Sequence, residues 1–310
     1  MAEPLDLSVD LGRGLRLRSP VMVASGTFGY GFDAPLVDRT ALGAIVTKGT
    51  TPRARDGNAP TRIAETPSGM LNAIGLQNPG IDHVARVYAP MWATWDVPVI
   101  VNVAGDAVDD YVAVARRLDG VAGVAGLELN ISCPNIANGL QFGLDPRPAA
   151  QLTTAVRAVT RLPLLVKLTP NVTDIVTVGR AVEDAGADAV SAINTYVGMA
   201  IDVRRRRPVL SRGSGGLSGP AIKPLALHAV WQLSAALSIP VVGIGGIMTA
   251  TDALEFLLAG AVAVQLGTVN YVRPQAVREI HDGIAAHLKE HDLSALGALP
   301  IRPARVEAHV

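Results

Sequence analysis

One stretch predicts the fold: Val124-Ala125-Gly126-Leu127-Glu128-Leu129-Asn130-Ile131-Ser132-Cys133-Pro134-Asn135. Its apolar first half is typical of a buried β-strand, and Pro134 ends the strand because proline has no N–H to give a sheet. Cys133, the only cysteine among 310 residues, therefore follows the strand's carboxyl end. In a parallel α/β barrel those ends carry the chemistry. A lone cysteine is more often a small buried hydrophobe, so a catalytic base between two asparagines needs support from elsewhere.

Short apolar runs alternate along the chain with segments of helical period, as expected of repeated βα units. The eight runs are Val21 to Ala24, Ala44 to Lys48, Val99 to Val103, Gly126 to Ile131, Leu164 to Lys167, Ala189 to Ile193, Val241 to Gly243 and Ala263 to Leu266. The helical segments include Ala107 to Leu118, Pro148 to Val159, Val172 to Ala185, Lys223 to Leu237 and Ala250 to Leu258. The pattern predicts an α/β fold, a (β/α)8 TIM barrel, with residues 1–310 as a single domain.

Three further segments do not fit a plain βα repeat. Leu5 to Asp10 and Leu15 to Arg18 alternate apolar with polar residues around Gly12-Arg13-Gly14, which predicts a β-hairpin capping the bottom of the barrel. The connections from Gly49 to about Pro79 and from Thr195 to Gly219 are too long for simple loops. Long structureless connections in compact domains are usually lids or binding loops.

Composition narrows the choice of partners. The 27 basic residues balance 27 acidic ones, so the formal net charge gives no indication of binding to nucleic acid or to an anionic membrane. No apolar run approaches the roughly 18 residues of a membrane span, and the first residues are acidic rather than signal-like. A single cysteine excludes an internal disulfide. We expect a cytoplasmic protein whose partners are small molecules or other proteins.

Polar side chains follow successive predicted strands. Lys48, Asn102, Asn130, Lys167 and the pair Asn194-Thr195 all lie at or near strand ends. One lysine there is commonly a solvated cap, but a barrel would place the whole set around one axis. Asparagine offers donors and an acceptor to an amide-rich heterocycle, while lysine offers a positive charge to a carboxylate or a reduced ring. No set of metal ligands accompanies them.

Glycine clusters follow the last two strands: Gly243-Ile244-Gly245-Gly246 and Gly267-Thr268. Isolated glycines would be tight turns, but in (β/α)8 enzymes these two loops often bind a phosphate through backbone N–H groups. Position 248 is methionine, so the spacing does not complete the dinucleotide fingerprint GxGxxG. The pattern favours a phosphate cradle over a Rossmann site.

Several motifs, in order, closely resemble the class I dihydroorotate dehydrogenases, the flavin enzymes of pyrimidine synthesis. They are Ala24-Ser25-Gly26-Thr27-Phe28-Gly29-Tyr30-Gly31, Asn72-Ala73-Ile74-Gly75-Leu76-Gln77-Asn78-Pro79-Gly80, the block from Asn130 to Asn135, Val166-Lys167-Leu168-Thr169-Pro170, Gly215-Gly216-Leu217-Ser218-Gly219 and the two glycine clusters. The resemblance covers nearly the whole chain.

The resemblance implies two sets of binding residues. FMN would be held by Ala24, Ser25, Lys48, Asn102, Asn130, Lys167, Ile193, Gly219, Gly245, Gly246, Gly267 and Thr268. The substrate dihydroorotate would be bound by Lys48, Asn72, Ile74, Gly75, Leu76, Asn130, Asn135, Asn194 and Thr195. Cys133 would then remove the C5 proton while a hydride passes from C6 to FMN N5. Lys167 would lie near the flavin N1–O2 edge, and Lys48 would bridge flavin and substrate.

The amino-acid sequence from Ser25 to Gly31 and from Leu71 to Pro79 resembles the NAD-linked B subtype more than the fumarate-using A subtype. That resemblance implies a homodimeric core joined by a second subunit that carries FAD and a [2Fe–2S] cluster. One cysteine could not hold such a cluster, which needs about four thiolate or histidine ligands. Electrons would leave through the partner to NAD⁺.

Other interpretations remain open. The fumarate-linked A subtype is the nearest. A tRNA dihydrouridine synthase also joins a flavin barrel to a catalytic cysteine, but normally with a basic RNA-binding extension. A barrel aldolase could use Lys167 as a Schiff base. The charge run Arg204 to Arg207 is expected to be a solvated or lid-edge segment, and His287 and His291 the polar face of a helix from Glu279 to His291.

Overall fold

The structure, a computed structural model, describes residues 5–32, 36–132 and 142–300. The strands in these ranges are β1 (Val9–Asp10), β2 (Arg16–Leu17), β3 (Val21–Val23), β4 (Ala44–Val46), β5 (Ile63–Thr66), β6 (Gly69–Asn72), β7 (Val99–Val103), β8 (Gly126–Asn130), β9 (Leu164–Leu168), β10 (Ala189–Ala192), β11 (Tyr196–Gly198), β12 (Ile201–Asp202), β13 (Arg207–Pro208), β14 (Gly215–Ser218), β15 (Val241–Ile244) and β16 (Ala263–Leu266).

A closed parallel barrel forms the centre of the fold, in the order β3-β4-β7-β8-β9-β10-β15-β16, with β16 pairing back to β3. All eight predicted strands are present, which confirms the (β/α)8 prediction. Their residues are almost all buried, because one face fills the barrel and the other packs under the helices. The register sets Asn102 opposite Glu128 and Asn130 opposite Lys167, so these side chains occupy neighbouring levels near the carboxyl ends.

Helices surround the barrel, and several begin at a side-chain cap. They are α1 (Ile81–His83), α2 (Ala89–Trp92), α3 (Val108–Leu118), α4 (Pro146–Arg157), α5 (Ile175–Asp184), α6 (Lys223–Ala236), α7 (Ala250–Leu258), α8 (Val269–Val272) and α9 (Ala276–Glu290). Asp145, Asp174 and Thr249 each accept a backbone N–H at the start of α4, α5 and α7. A π-helical turn, Val84–Tyr88, continues α1 into α2. No helix within the described ranges is long and apolar enough to cross a membrane.

The predicted N-terminal hairpin is present as the antiparallel pair β1 and β2. Its Leu11 and Leu17 are fully buried in the core. The Leu15 side chain comes close to Gly126, the first residue of β8, so the hairpin covers the amino-terminal end of the barrel. Asp188, directly before β10, holds the hairpin in place: the single Nε–H of Arg13 donates a bifurcated hydrogen bond to its two carboxylate oxygens, at 2.9 and 3.0 Å.

Replacing Asp188 by asparagine should destabilise the barrel. The carboxylate also accepts hydrogen bonds from Arg157 Nη1 at 3.0 Å and from the backbone N–H of Leu164 at 2.9 Å. Since Asp188 and Arg157 are largely buried, the substitution leaves an uncompensated charge, and we expect the free energy of unfolding in urea to fall by about 2–3 kcal/mol. The control Asp82→Asn removes only an exposed pair with Arg117 and should cost less than about 1 kcal/mol. Equal effects would contradict this role.

The two long connections, predicted as structureless lids, instead pair with each other. They supply β5, β6, β14 and β11 of a four-stranded antiparallel sheet. This corrects the sequence interpretation in part. The pairing of β6 with β14 joins residues as far apart as Asn72 and Gly216, 144 positions along the chain, and a local hydrophobic pattern contains no such information. The sheet shares a cavity with the barrel's carboxyl-end residues.

Arg204 to Arg206 form the turn between β12 and β13, Arg207 is the first residue of β13, and all four are exposed. The backbone N–H groups of Arg204 and Arg205 are both held by Asp202 Oδ1 at 3.0 Å. The expectation of a solvated edge is confirmed.

Candidate active site

A cavity of about 450 Å³ lies between the carboxyl ends of the barrel strands and the four-stranded sheet. This volume is within the range of small-molecule sites, and the position matches that of active sites in (β/α)8 enzymes. Residues in or directly after β3, β4, β7, β8, β9, β10, β15 and β16 contribute to its walls, so every barrel strand delivers side chains or backbone to one space.

The cavity gathers the residues predicted from the sequence. All of the predicted cofactor residues line it: Ala24, Ser25, Lys48, Asn102, Asn130, Lys167, Ile193, Gly219, Gly245, Gly246, Gly267 and Thr268. So do the substrate residues Asn72, Ile74, Gly75, Leu76, Asn194 and Thr195. Cys133 and Asn135 fall in residues 133–141, outside the described part of the chain. Ser132, directly before Cys133, lines the cavity.

Two lysines give the cavity positive charge. Lys167 on β9 is 5% exposed, and burial lowers its pKa while the charge of Glu128 opposes that shift. Lys48 follows β4 and is partly buried. Burial lowers the pKa of Lys48, and the positive charges of Arg62 and Lys167 lower it further. Two cations that line the same cavity favour an anionic ligand.

Three hydrogen bonds hold Asn130, the last residue of β8. Its Oδ1 accepts hydrogen bonds from Asn194 Nδ2 at 3.2 Å and from the backbone N–H of Ser132 at 3.3 Å. Its backbone carbonyl accepts one from the Tyr111 hydroxyl at 2.7 Å. The Asn194 Oδ1 in turn accepts the N–H of Thr195 at 2.8 Å. These bonds hold the amides after β8 and β10 in one polar wall.

The glycine loop after β15 approaches its neighbours too closely for any side chain. Gly245 and Gly246 have φ of +137° and +70°, and a Cβ on them would lie 2.6 Å from the Ala226 side chain and 2.7 Å from the Lys223 side chain. Lys223 is itself held by Asp252 at 2.6 Å and Glu255 at 2.9 Å. Close packing on α6 therefore requires glycine at both positions, and both glycines also line the cavity, where their backbone is available for a phosphate.

The roof of the cavity is the four-stranded sheet and the loop after β6. Asn72 Nδ2 donates to the Gly216 carbonyl at 3.3 Å, which ties the two long connections together beside the cavity. The Asn58 N–H donates to the Ile74 carbonyl at 2.9 Å, and a Cβ on Gly75 would lie 2.7 Å from Asn58. Leu76 has a positive φ of 54°. The segment 73–76, after β6, is thus shaped by close contacts rather than by a regular element.

The sequence matches a family of known proteins over most of its length. The family model for dihydroorotate dehydrogenase matches residues 8–288 of the chain. The chain belongs to the dihydroorotate dehydrogenase family. A relative from Desulforamulus reducens is 54% identical over 95% of this chain and 97% of its own length. A relative from Geotalea daltonii is 53% identical over 97% of this chain and 100% of its own length.

Both relatives are named dihydroorotate dehydrogenase B (NAD(+)), catalytic subunit, and a third of that name from Pelobacter propionicus is 54% identical over 95% of this chain. The B subtype predicted from the sequence is therefore the one to which the chain is similar. The word subunit in those names means that these relatives work with a second polypeptide.

A dihydroorotate dehydrogenase is a flavin enzyme, and the residues of the cavity fit a flavin. The two lysines and the bare glycine loop suit its anionic phosphate and its electron-rich ring. Asn102 is fully buried, and its Oδ1 has no hydrogen-bond partner within the described part of the chain. A buried amide oxygen without a partner costs free energy unless a ligand supplies a donor.

Sequence reasoning missed several residues of this dihydroorotate dehydrogenase site. Asn171 lines the cavity and binds β11 to the barrel, since its Nδ2 donates to the Thr195 carbonyl at 3.0 Å and its Oδ1 accepts the Val197 N–H at 3.0 Å. The motif that contains Lys167 stops one residue short of it. Arg212 and Ser214 also line the cavity, from the second long connection. Only the pairing of the two connections places them there.

Proposed function

We propose that this chain oxidises (S)-dihydroorotate to orotate in de novo pyrimidine (UMP) biosynthesis, with FMN as its cofactor. The observation that carries the proposal is the single cavity in which two lysines, several amides and a bare glycine loop converge in a member of this family. These residues suit an anionic substrate ring stacked on the ring of an anionic cofactor. A Schiff-base aldolase could use Lys167 and the same glycine loop for a sugar phosphate, but it would not need the set of amides.

FMN would be held at both of its ends. The backbone around Gly245, Gly246, Gly267 and Thr268 would bind the phosphate, with Gly219 and Ser25 close by. Lys167 and Asn102 would contact the ring from the barrel interior. When bound, FMN supplies the acceptor for the hydride that leaves C6 of the substrate.

Dihydroorotate would lie between the ring and the roof. Its carboxylate and ring amides need a cation, donors and acceptors, which Lys48, Asn72, Asn130, Asn194 and Thr195 offer. Ile74, Gly75 and Leu76 would enclose it and exclude water. The proposal adds Asn135 on the strength of the resemblance alone.

Cys133 would serve as the base. Oxidation removes a proton from C5, which the neighbouring C4 carbonyl acidifies, and a hydride from C6, so the substrate loses two hydrogens and two electrons in all. A thiol of ordinary pKa near 8.5 can be adjusted toward neutral pH for this step. Because a catalytic thiol must stay reduced, the proposal includes a cytoplasmic location.

The electrons would pass to NAD⁺ through a second subunit carrying FAD and a [2Fe–2S] cluster, around a homodimer of this chain. The names of the relatives support this, since they specify NAD(+) and a catalytic subunit. The alternative is direct oxidation by fumarate, as in the A subtype. Reoxidation of the reduced chain by fumarate alone would favour that alternative, and failure with fumarate but success with NAD⁺ plus the partner would exclude it.

The test is an absorbance spectrum of the purified chain before and after anaerobic addition of dihydroorotate. A flavin band near 450 nm, roughly as in other flavoproteins, should bleach, and the flavin released by heat should be FMN. A colourless chain that borohydride links to a substrate would indicate an aldolase instead. A flavin that dihydroorotate does not bleach would refute the proposal.

The lowered pKa of Lys48 predicts a pH effect on orotate binding. Lys48 is charged below its pKa, which burial and nearby cations hold under the ordinary 10.5. Raising the pH from about 7 to about 10 should therefore weaken orotate binding, measured by its perturbation of the flavin spectrum. Lys48→Arg stays charged throughout this range and is the control. A decline of the same size in Lys48→Arg would show that another group is responsible.

A further inference from the structure

Glu128 is a buried acid directly beneath the cavity, and the proposed chemistry gives it no role. It lies on β8 with no exposed surface, two residues before Asn130. Its side chain points into the barrel, where it meets side chains from β7, β10 and β16. Since β8 and β16 are on opposite sides of the barrel, the carboxylate lies near the barrel axis.

Three donors converge on this carboxylate. Asn102 Nδ2 donates to Oε1 at 2.7 Å. Ser191 Oγ and Gln265 Nε2 donate to Oε2 at 2.8 and 2.7 Å. All three partners are buried, so these hydrogen bonds are shielded from water and strong.

The carboxylate fixes which way the neighbouring amides face. It accepts hydrogen bonds and cannot donate them, so Asn102 and Gln265 must turn their NH₂ groups toward it. Their oxygens then point away, and neither Asn102 Oδ1 nor Gln265 Oε1 has a partner in the described part of the chain. Asn102 Oδ1 lies against Gly49, a residue of the cavity wall, because a Cβ built on Gly49 would be 3.1 Å from it, and Asn102 itself also lines the cavity.

We propose that Glu128 is a positioning residue that forces Asn102 to present its oxygen, rather than its NH₂, to the ring of the bound cofactor. The inference rests on the proposed FMN. The oxidised isoalloxazine ring has one N–H donor, at N3, and Asn102 Oδ1 is the acceptor for it. Glu128 thereby sets the orientation in which the ring is held without contacting the ring itself.

The variant Glu128→Gln tests this because its amide can donate a hydrogen bond to Asn102, whereas the Glu128 carboxylate can only accept one. If the introduced glutamine keeps its oxygen toward Ser191 and Gln265, its NH₂ faces Asn102, which must turn and offer NH₂ to the cavity. The affinity of the flavin-free protein for FMN, measured by the quenching of flavin fluorescence, should fall about 10–100-fold in Glu128→Gln. The variant Ser191→Ala removes a hydrogen bond from the same carboxylate but leaves Asn102 alone, and should bind FMN within about 3-fold of the unmodified chain.

A second substitution restores the geometry. When Glu128→Gln is combined with Asn102→Asp, the introduced glutamine donates its NH₂ to the introduced aspartate, whose other oxygen again faces the cavity. At about pH 8 this double variant should bind FMN more tightly than either single variant, since Asn102→Asp alone sets two carboxylates against each other. A double variant no better than the singles would overturn the proposal, as would normal FMN binding in Glu128→Gln.

A modified flavin gives an independent check, first on the unmodified chain and then on Glu128→Gln. N3-methyl-FMN lacks the N–H, so the unmodified chain should bind it about 10-fold or more weakly than FMN, and Glu128→Gln should lose this preference. Equal binding of the two flavins by the unmodified chain would refute the role of Asn102 Oδ1. These readouts concern binding alone, whereas bleaching by dihydroorotate reports the proposed function, so either can fail without the other.

Discussion

Replacing Cys133 by alanine is expected to leave FMN bound but to slow its reduction by dihydroorotate about 10²–10⁴-fold. Without a base, the C5 proton has no acceptor within the site, and the hydride cannot leave C6 at its normal rate. The measurement is anaerobic stopped-flow of the flavin band after mixing with saturating dihydroorotate. The flavin content of the variant should match that of the unmodified chain.

The neighbouring Ser132 provides the control. It lines the same cavity, and its Oγ has no partner within the described residues, yet the proposal gives it no part in proton removal. Ser132→Ala should reduce its flavin within about 3-fold of the normal rate. Normal reduction in Cys133→Ala, or an equal loss in both variants, would contradict the assignment of the base.

Replacing Lys167 by alanine is expected to weaken FMN binding about 10–150-fold. Its ammonium is buried at the end of β9, and no water can replace the charge it offers to the flavin ring. Titration of the flavin-free protein with FMN measures the loss, and the potential of any flavin that remains should shift. Lys289→Ala, on the exposed end of α9, is the matched control and should bind FMN normally. Unchanged flavin binding and potential in Lys167→Ala would exclude its role.

The barrel could be predicted because its strands are buried on both faces. The run Leu164–Leu168, for example, is apolar along nearly its whole length and is followed by α5, a helix of clear period. The hairpin β1–β2 was predictable from its glycine turn. The sheet over the cavity was not, because β6 and β14 stabilise each other across 144 positions and each is only half-buried.

The candidate site was predictable where a residue type is unusual for its place. Lysine or asparagine at the end of a buried strand is costly without a purpose, so Lys48, Asn102, Asn130 and Lys167 stand out in the sequence, and the structure brings them to one cavity. Glu128 escaped notice because an acid within an apolar run gives no sign of which donors will meet it. Its partners come from three other strands, and only the closed barrel defines them.

The proposed reaction passes a hydride from dihydroorotate to the flavin of this chain. It is tested by an anaerobic titration of the purified, flavin-loaded chain with dihydroorotate, in which flavin absorbance and the orotate formed are followed together. We expect about one orotate for each flavin reduced, with no partner subunit present. Flavin that stays oxidised, or bleaching without orotate, would contradict it.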